Sequence, residues 1–125
     1  MKLILKLLEE RFAVCRLDAT AIVPAALLIP GHEFVSITRT PDELSLVCPE
    51  SLAPAGAKVQ SGWRAFKVQG PLDFSLTGVI ASLVQPLAEA KISVFTIATY
   101  DTDYILVQEP DLAAAQRQLA AFLRL

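Results

Sequence analysis

The sequence predicts an α+β protein: two β-α-β-β-α halves in tandem, each an antiparallel sheet with helices packed on one face. Three observations carry this. Two hairpin patterns, Phe34 to Val47 and Val94 to Val107, stand sixty residues apart and align without a gap, with Ile37/Ile97, Leu46/Leu106 and Val47/Val107 identical. Each hairpin follows a strand and then a helical segment. A second helical segment follows each of them. Each half is therefore most of a ferredoxin-like β-α-β-β-α-β unit. We assign the first unit to residues 1–62 and the second to 63–125.

Leu3 to Leu8 is a short apolar run interrupted by Lys6, and reads as a strand. Neither half shows a final strand after its last helix, so this segment is expected to complete the second sheet. Phe12 to Leu17 is a second strand. Ile22, Ala25, Ala26 and Ile29 recur at helical spacing and predict a short helix over 20–28, with Pro24 in its first turn and Pro30-Gly31 ending it. The strands of the first hairpin flank Thr40-Pro41-Asp42-Glu43, where Pro presets φ and Asp tolerates the turn. Residues 50–57, broken by Pro54 and Gly56, read as a weak helix or loop. Trp63 to Val68 opens the second half as a strand.

A loop from Gly70 to Gly78 leads into a helix reaching about Ala90. Val79, Ile80, Leu83, Val84 and Leu87 share one of its faces. Pro86 removes one backbone bond and is expected to kink this helix near Ser82. Ile92 to Thr99 and Tyr104 to Gln108 are the strands of the second hairpin. Pro110 opens a last helix whose apolar face is Leu112, Ala115, Leu119, Phe122 and Leu123.

Composition narrows the function classes. Hydrophobic residues make up 54%, charged residues 19%, and the net charge is -2, with no basic patch suited to nucleic acid. No apolar run approaches the roughly 20 residues of a membrane span. The amino terminus lacks the apolar stretch and cleavage site of a secretory signal. Cys15 and Cys48 sit in apolar strands and read as buried, reduced thiols. A cytoplasmic protein is expected. His32 is the sole histidine and follows Pro30-Gly31 in a loop, where solvent exposure is expected. A histidine-based metal cluster or catalytic triad has no second member or local motif. No Gly-rich nucleotide motif occurs. The chain is read as having no catalytic residue, no metal and no cofactor, and as not being an enzyme.

The run Pro86-Leu-Ala-Glu-Ala-Lys-Ile-Ser-Val94, continuing to Thr99-Tyr-Asp-Thr-Asp-Tyr-Ile-Leu-Val107, resembles the ACT domains of the cytosolic arginine sensors called CASTOR proteins. It also resembles their small bacterial relatives with a tandem ACT-like pair. The first hairpin fits as well. The resemblance spans Phe12 to Leu119 and is strongest from Leu83 to Glu109. It implies two ACT-like domains that bind a free amino acid and do no chemistry on it. It implies a site built from the loop entering a helix and the strand after that helix. Carried over by position, the candidates are Gly78 in the loop, Ser93 and Val94 at the strand start, and Thr99, Tyr100 and Asp103 at the turn. The sensors hold four such domains, so a C2 homodimer would rebuild the set here, and any regulated protein would be reached in trans.

The chemistry of such a site is simple. A carboxylate suits the unsatisfied N–H groups at a helix start, which places Ser75, Leu76, Thr77 and Gly78 among the ligand contacts. An ammonium group suits Asp73 or Asp103. Asp73 or Ser75 would equally serve as a plain helix cap, and the Thr99 to Asp103 stretch as a plain turn. In the arginine sensor the residues just before the position of Gly78 are acidic; here they are Ser75 and Leu76. That departure supports the alternative, an ACT-like scaffold that docks or dimerises without a ligand.

Overall fold

The computed structural model describes residues 3–69 and 78–123. Its strands are β1 (Leu5–Leu7), β2 (Phe12–Leu17), β3 (Ser36–Arg39), β4 (Leu44–Pro49), β5 (Lys58–Val68), β6 (Val94–Ala98) and β7 (Asp103–Gln108). Its α-helices are α1 (Val79–Glu89) and α2 (Leu112–Gln118). The fold is α+β with antiparallel strand pairs. The chain divides into two compact units: Glu9–Trp63, and Met1–Leu8 together with Arg64–Leu125. No helix among the described residues is long and apolar enough to cross a membrane.

In the N-terminal unit the strand order is β3-β4-β2, with the first part of β5 next to β2. Phe12 pairs with Trp63, and Val14, Cys15 and Arg16 with Gln60, Val59 and Lys58. This half therefore does have a final strand. It went unseen in the sequence because Lys58 to Ser61 are exposed and polar-rich, without a buried face to mark them. The register slips between Phe12 and Val14, a β-bulge. Gly62 takes φ 80° there, a conformation that favours glycine.

The helix expected over 20–28 is a single 3-10 turn, Ala25–Leu27. Pro24 has extended ψ of 133°, so helical geometry begins only after it. Pro30 closes the other end. The residues between are too few to repay helix nucleation. Leu27 is the buried residue of this turn, whereas Ile22 and Ile29, placed on the expected apolar face, are 89% and 60% exposed. Residues 50–52 form another 3-10 turn. The core beneath holds Ala13, Cys15, Leu44, Leu46 and Cys48, with Leu27 packed on them. His32 is half-buried rather than exposed, and its Nε2 donates to the Ala26 carbonyl at 2.8 Å.

In the C-terminal unit the order is β1-β5-β7-β6. β1 pairs with the end of β5, Leu5 opposite Val68 and Leu7 opposite Phe66. The other side of β1 is met by the segment after α2: the Leu5 N–H donates to the Phe122 carbonyl at 2.9 Å, and Leu5 and Leu123 form a parallel bridge. Val79, Leu83 and Leu87 of α1, with Ala115 of α2 and Leu119, share a core with Leu5, Phe66, Val68, Ile105 and Val107. Both helices thus cover one face of this sheet. α1 continues through Pro86 to Glu89. α2 is shorter than the apolar pattern implied: Pro110 lies in a 3-10 turn before it, and Phe122 and Leu123 lie beyond it.

The two hairpins share a turn, but not at a spacing of sixty. The Thr40 N–H donates to the Glu43 carbonyl at 2.9 Å, and the Thr99 N–H donates to the Thr102 carbonyl at 2.8 Å. Thr40 therefore corresponds to Thr99, one residue closer than the sequence identities suggested. The facing of the strands agrees. Leu46 and Cys48 face their core as Ile105 and Val107 face theirs. A one-residue slip would turn each side chain to the other face.

Candidate functional site

The second hairpin presents its turn at the end where β5 finishes. β6 and β7 pair from Val94 opposite Val107 to Ala98 opposite Asp103. Thr99, Tyr100, Asp101 and Thr102 close the loop. The Thr99 hydroxyl donates to the Thr102 carbonyl at 3.0 Å and accepts the Thr102 N–H at 3.3 Å. Threonine favours such a turn because its oxygen mimics a backbone acceptor. The Thr102 hydroxyl then donates to the Val68 carbonyl at 2.7 Å, tying the turn to the last residue of β5. The next residue of that strand end is held from the other side, since the Gln69 N–H donates to the Ile4 carbonyl at 2.8 Å.

α1 begins at Gly78, which takes φ 76° and ψ 3° and offers no side-chain cap. A Cβ there would meet nothing within 4 Å among the described residues. The glycine serves the left-handed conformation. The N–H groups of a helix's first turn and its dipole favour an anion. α1 runs toward the start of β6, so its N-terminus lies at the same end of the unit as the Thr99–Thr102 turn.

The turn has the opposite electrostatic preference. Asp101 is exposed and Asp103 half-buried. Burial first, and then the Asp101 carboxylate, push the Tyr104 phenol up from its usual range. Tyr100 stands 82% exposed over the turn. A helix start and an acidic, aromatic turn thus stand at the same end of the unit. That combination suits a zwitterion: its carboxylate to the helix, its ammonium group to the aspartates. Among the described residues no group of three or more His, Cys, Asp or Glu could hold a metal ion.

Thr99, Tyr100 and Asp103 are brought together, and Gly78 stands at the same end. Ser93 and Val94 are not with them. Val94 opens β6 with Ser93 just before it, at least five residues from Thr99, which is about 16 Å of extended strand. Ser93 is exposed there, and Val94 packs against the core. Asp73, Ser75, Leu76 and Thr77 lie outside the described residues. Thr102 is the residue the sequence did not single out. It is a buried polar side chain, 5% exposed, amid a turn whose neighbours are solvated. Only its partner on β5 distinguishes it from the other turn threonine.

Comparison with known proteins agrees with this architecture. A family model described as ACT domain matches residues 58–121, and a second model, of an N-terminal domain, matches residues 10–55. The Homo sapiens protein CASTOR3P is 30% identical over 125 aligned residues, covering 86% of this chain and 76% of that protein. The Bos taurus cytosolic arginine sensor for mTORC1 subunit 1 is 32% identical across 70% of this chain. The chain spans 30% of that sensor's length. Among solved structures, protein Atu0741 from Agobacterium tumefaciens superposes with a TM-score of 0.87 at 40% identity, covering 98% of this chain and 91% of that one. The regulatory subunit of aspartate kinase from Thermus thermophilus shares the fold, with a TM-score of 0.65 at 15% identity over 94% of this chain and 97% of that one. The chain belongs to the ACT-domain family and is CASTOR-like within it.

Proposed function

We propose that this chain is a regulatory module that binds a free amino acid and does not transform it. The observation that supports the reading is the placement of the start of α1 at Gly78 and of the acidic Thr99–Asp103 turn at one end of the C-terminal unit. The ACT-domain match over the same residues supports it, as does a relative named for sensing arginine. In this reading the α-carboxylate of the amino acid takes the helix N–H groups, with residues 73–77 contributing from the loop. Asp103 takes the ammonium group, and Tyr100 covers it. Two copies related by a C2 axis would supply four ACT-like units and place sites at the subunit boundary. The module would act in the cytoplasm on a separate protein.

A thermal-shift screen against the twenty standard amino acids tests this. A ligand at 100 times its Kd stabilises by about 2.7 kcal/mol, enough to raise the melting temperature visibly. Asp103→Ala should remove the shift while moving the unliganded stability by no more than about 0.5 kcal/mol. Sedimentation should give the mass of a dimer. A protein that dimerises but responds to no amino acid is instead the ligand-free scaffold.

A further inference from the structure

We propose that Thr102 is a positioning residue for this site, coupling the Thr99–Asp103 turn to the end of β5. The inference rests on the amino-acid reading above and adds to it the residue that holds the site in shape.

All three polar groups of Thr102 are engaged. Its N–H and carbonyl close the turn with Thr99, at 3.3 Å and 2.8 Å. Its hydroxyl leaves the turn and donates to the Val68 carbonyl at 2.7 Å. The side chain is 5% exposed, so the hydroxyl would carry a desolvation cost without that partner. In the first hairpin the same turn is tied to its neighbouring strand from the other direction, the Arg16 guanidinium of β2 donating to the Asp42 carbonyl at 3.0 Å. There Glu43 holds the place of Thr102 and supplies the carbonyl for the same Thr40 bond. It has no hydroxyl to reach a neighbouring strand. A tether made by the turn's own side chain belongs to the hairpin that carries Tyr100 and Asp103.

The geometry gives the tether its use. Asp103 follows Thr102 directly and opens β7. Val68 ends β5, and its neighbour Gln69 is held by Ile4 on the β1 side. Fixing Thr102 to Val68 therefore ties the backbone of the turn that carries Tyr100 and Asp103 to a strand end clamped on both flanks. A binding constellation loosened by about 1 Å loses much of its affinity.

The test compares wild type with Thr102→Val, which keeps the β-branched shape, and Thr102→Ser, which keeps the hydroxyl. Amide hydrogen exchange is measured without added amino acid. Calorimetric titration then uses whichever of the twenty amino acids gives the largest wild-type thermal shift, at a temperature where every variant is fully folded. Thr102→Val should exchange faster at Thr99 and at position 102, with Thr40 in the other hairpin unchanged, and should bind roughly tenfold more weakly. Thr102→Ser should match wild type in both readouts. Unchanged affinity in Thr102→Val overturns the inference, even with faster exchange, because the bond would then be structural only. Unchanged exchange overturns it as well. If no amino acid shifts wild type, the amino-acid reading itself fails, and the binding role of Thr102 falls with it.

Discussion

The Glu50 carboxylate accepts the Gly62 N–H at 2.6 Å, at the bulge where β5 passes Phe12. A bulge leaves a backbone group off the ladder. Glu50, rising from a 3-10 turn after β4, supplies the missing acceptor. Glu50→Ala should lower stability by about 1–2 kcal/mol, since the N–H is left without its partner in a partly buried place. Gly62→Ala should cost about 1 kcal/mol through its positive φ, since a Cβ there meets nothing within 4 Å. Urea unfolding curves of the two variants check both. Equal midpoints for wild type and Glu50→Ala would show that the bulge holds without this acceptor.

The turn threonines should behave alike in stability and differently in response. Thr40→Ala and Thr99→Ala each lose the oxygen that accepts a turn N–H. Each should destabilise by about 1 kcal/mol. Only Thr99→Ala should also reduce the thermal shift with amino acids, because only the second turn carries the proposed contacts. Equal reductions in both variants would dissociate the response from the second turn.

The two thiols predict an alkaline weakness. Burial pushes the Cys48 thiol up from its ordinary value of 9.0 to about 12, and neighbouring Cys15 adds to the rise. Burial also raises Cys15, partly offset by its bond with Cys48. A raised folded-state pKa means the folded chain keeps a proton that the unfolded chain has released. The contribution is complete below pH 9 and is lost as pH climbs toward 12. Stability should therefore fall across that window, and less steeply in Cys48→Ala. In the native protein at neutral pH neither thiol should react with Ellman's reagent. Rapid labelling of folded protein would contradict the burial of both side chains.

Local pattern made the second hairpin and α1 legible. Leu83 and Leu87, one turn apart, are fully buried as their spacing implied. The first hairpin was legible as a hairpin, yet its alignment on the second was one residue out. Sequence identities do not reveal which face a residue occupies, whereas the turn bonds of Thr40 and Thr99 do. The helix over 20–28 failed because its apolar spacing sat between two prolines, too short to nucleate. The polar turn at Thr99–Asp103 stood out as a candidate, but Thr102 did not, since a threonine in a turn reads the same whether or not its hydroxyl has a partner.

What the sequence determined by itself was the set of local elements: alternation gave strands, a 3.6-residue period gave α1, and threonine, proline and aspartate gave the turns. The hairpin pairings and the place of β1 in the second sheet were legible as expectations, but only the tertiary structure decided which strand and register β1 and the first part of β5 take. β5 runs beyond its legible portion because residues 58–63 find β2 as a partner, with Glu50 at the bulge. β1 takes its place beside Val68, although residues 9–63 separate it along the chain from the rest of its unit. Thr102 gains its bond from the same strand end. Each of these rests on a backbone group satisfied by a residue distant in sequence. No local periodicity encodes such a partner, because an N–H or carbonyl looks the same in every residue until the fold brings its acceptor or donor to it.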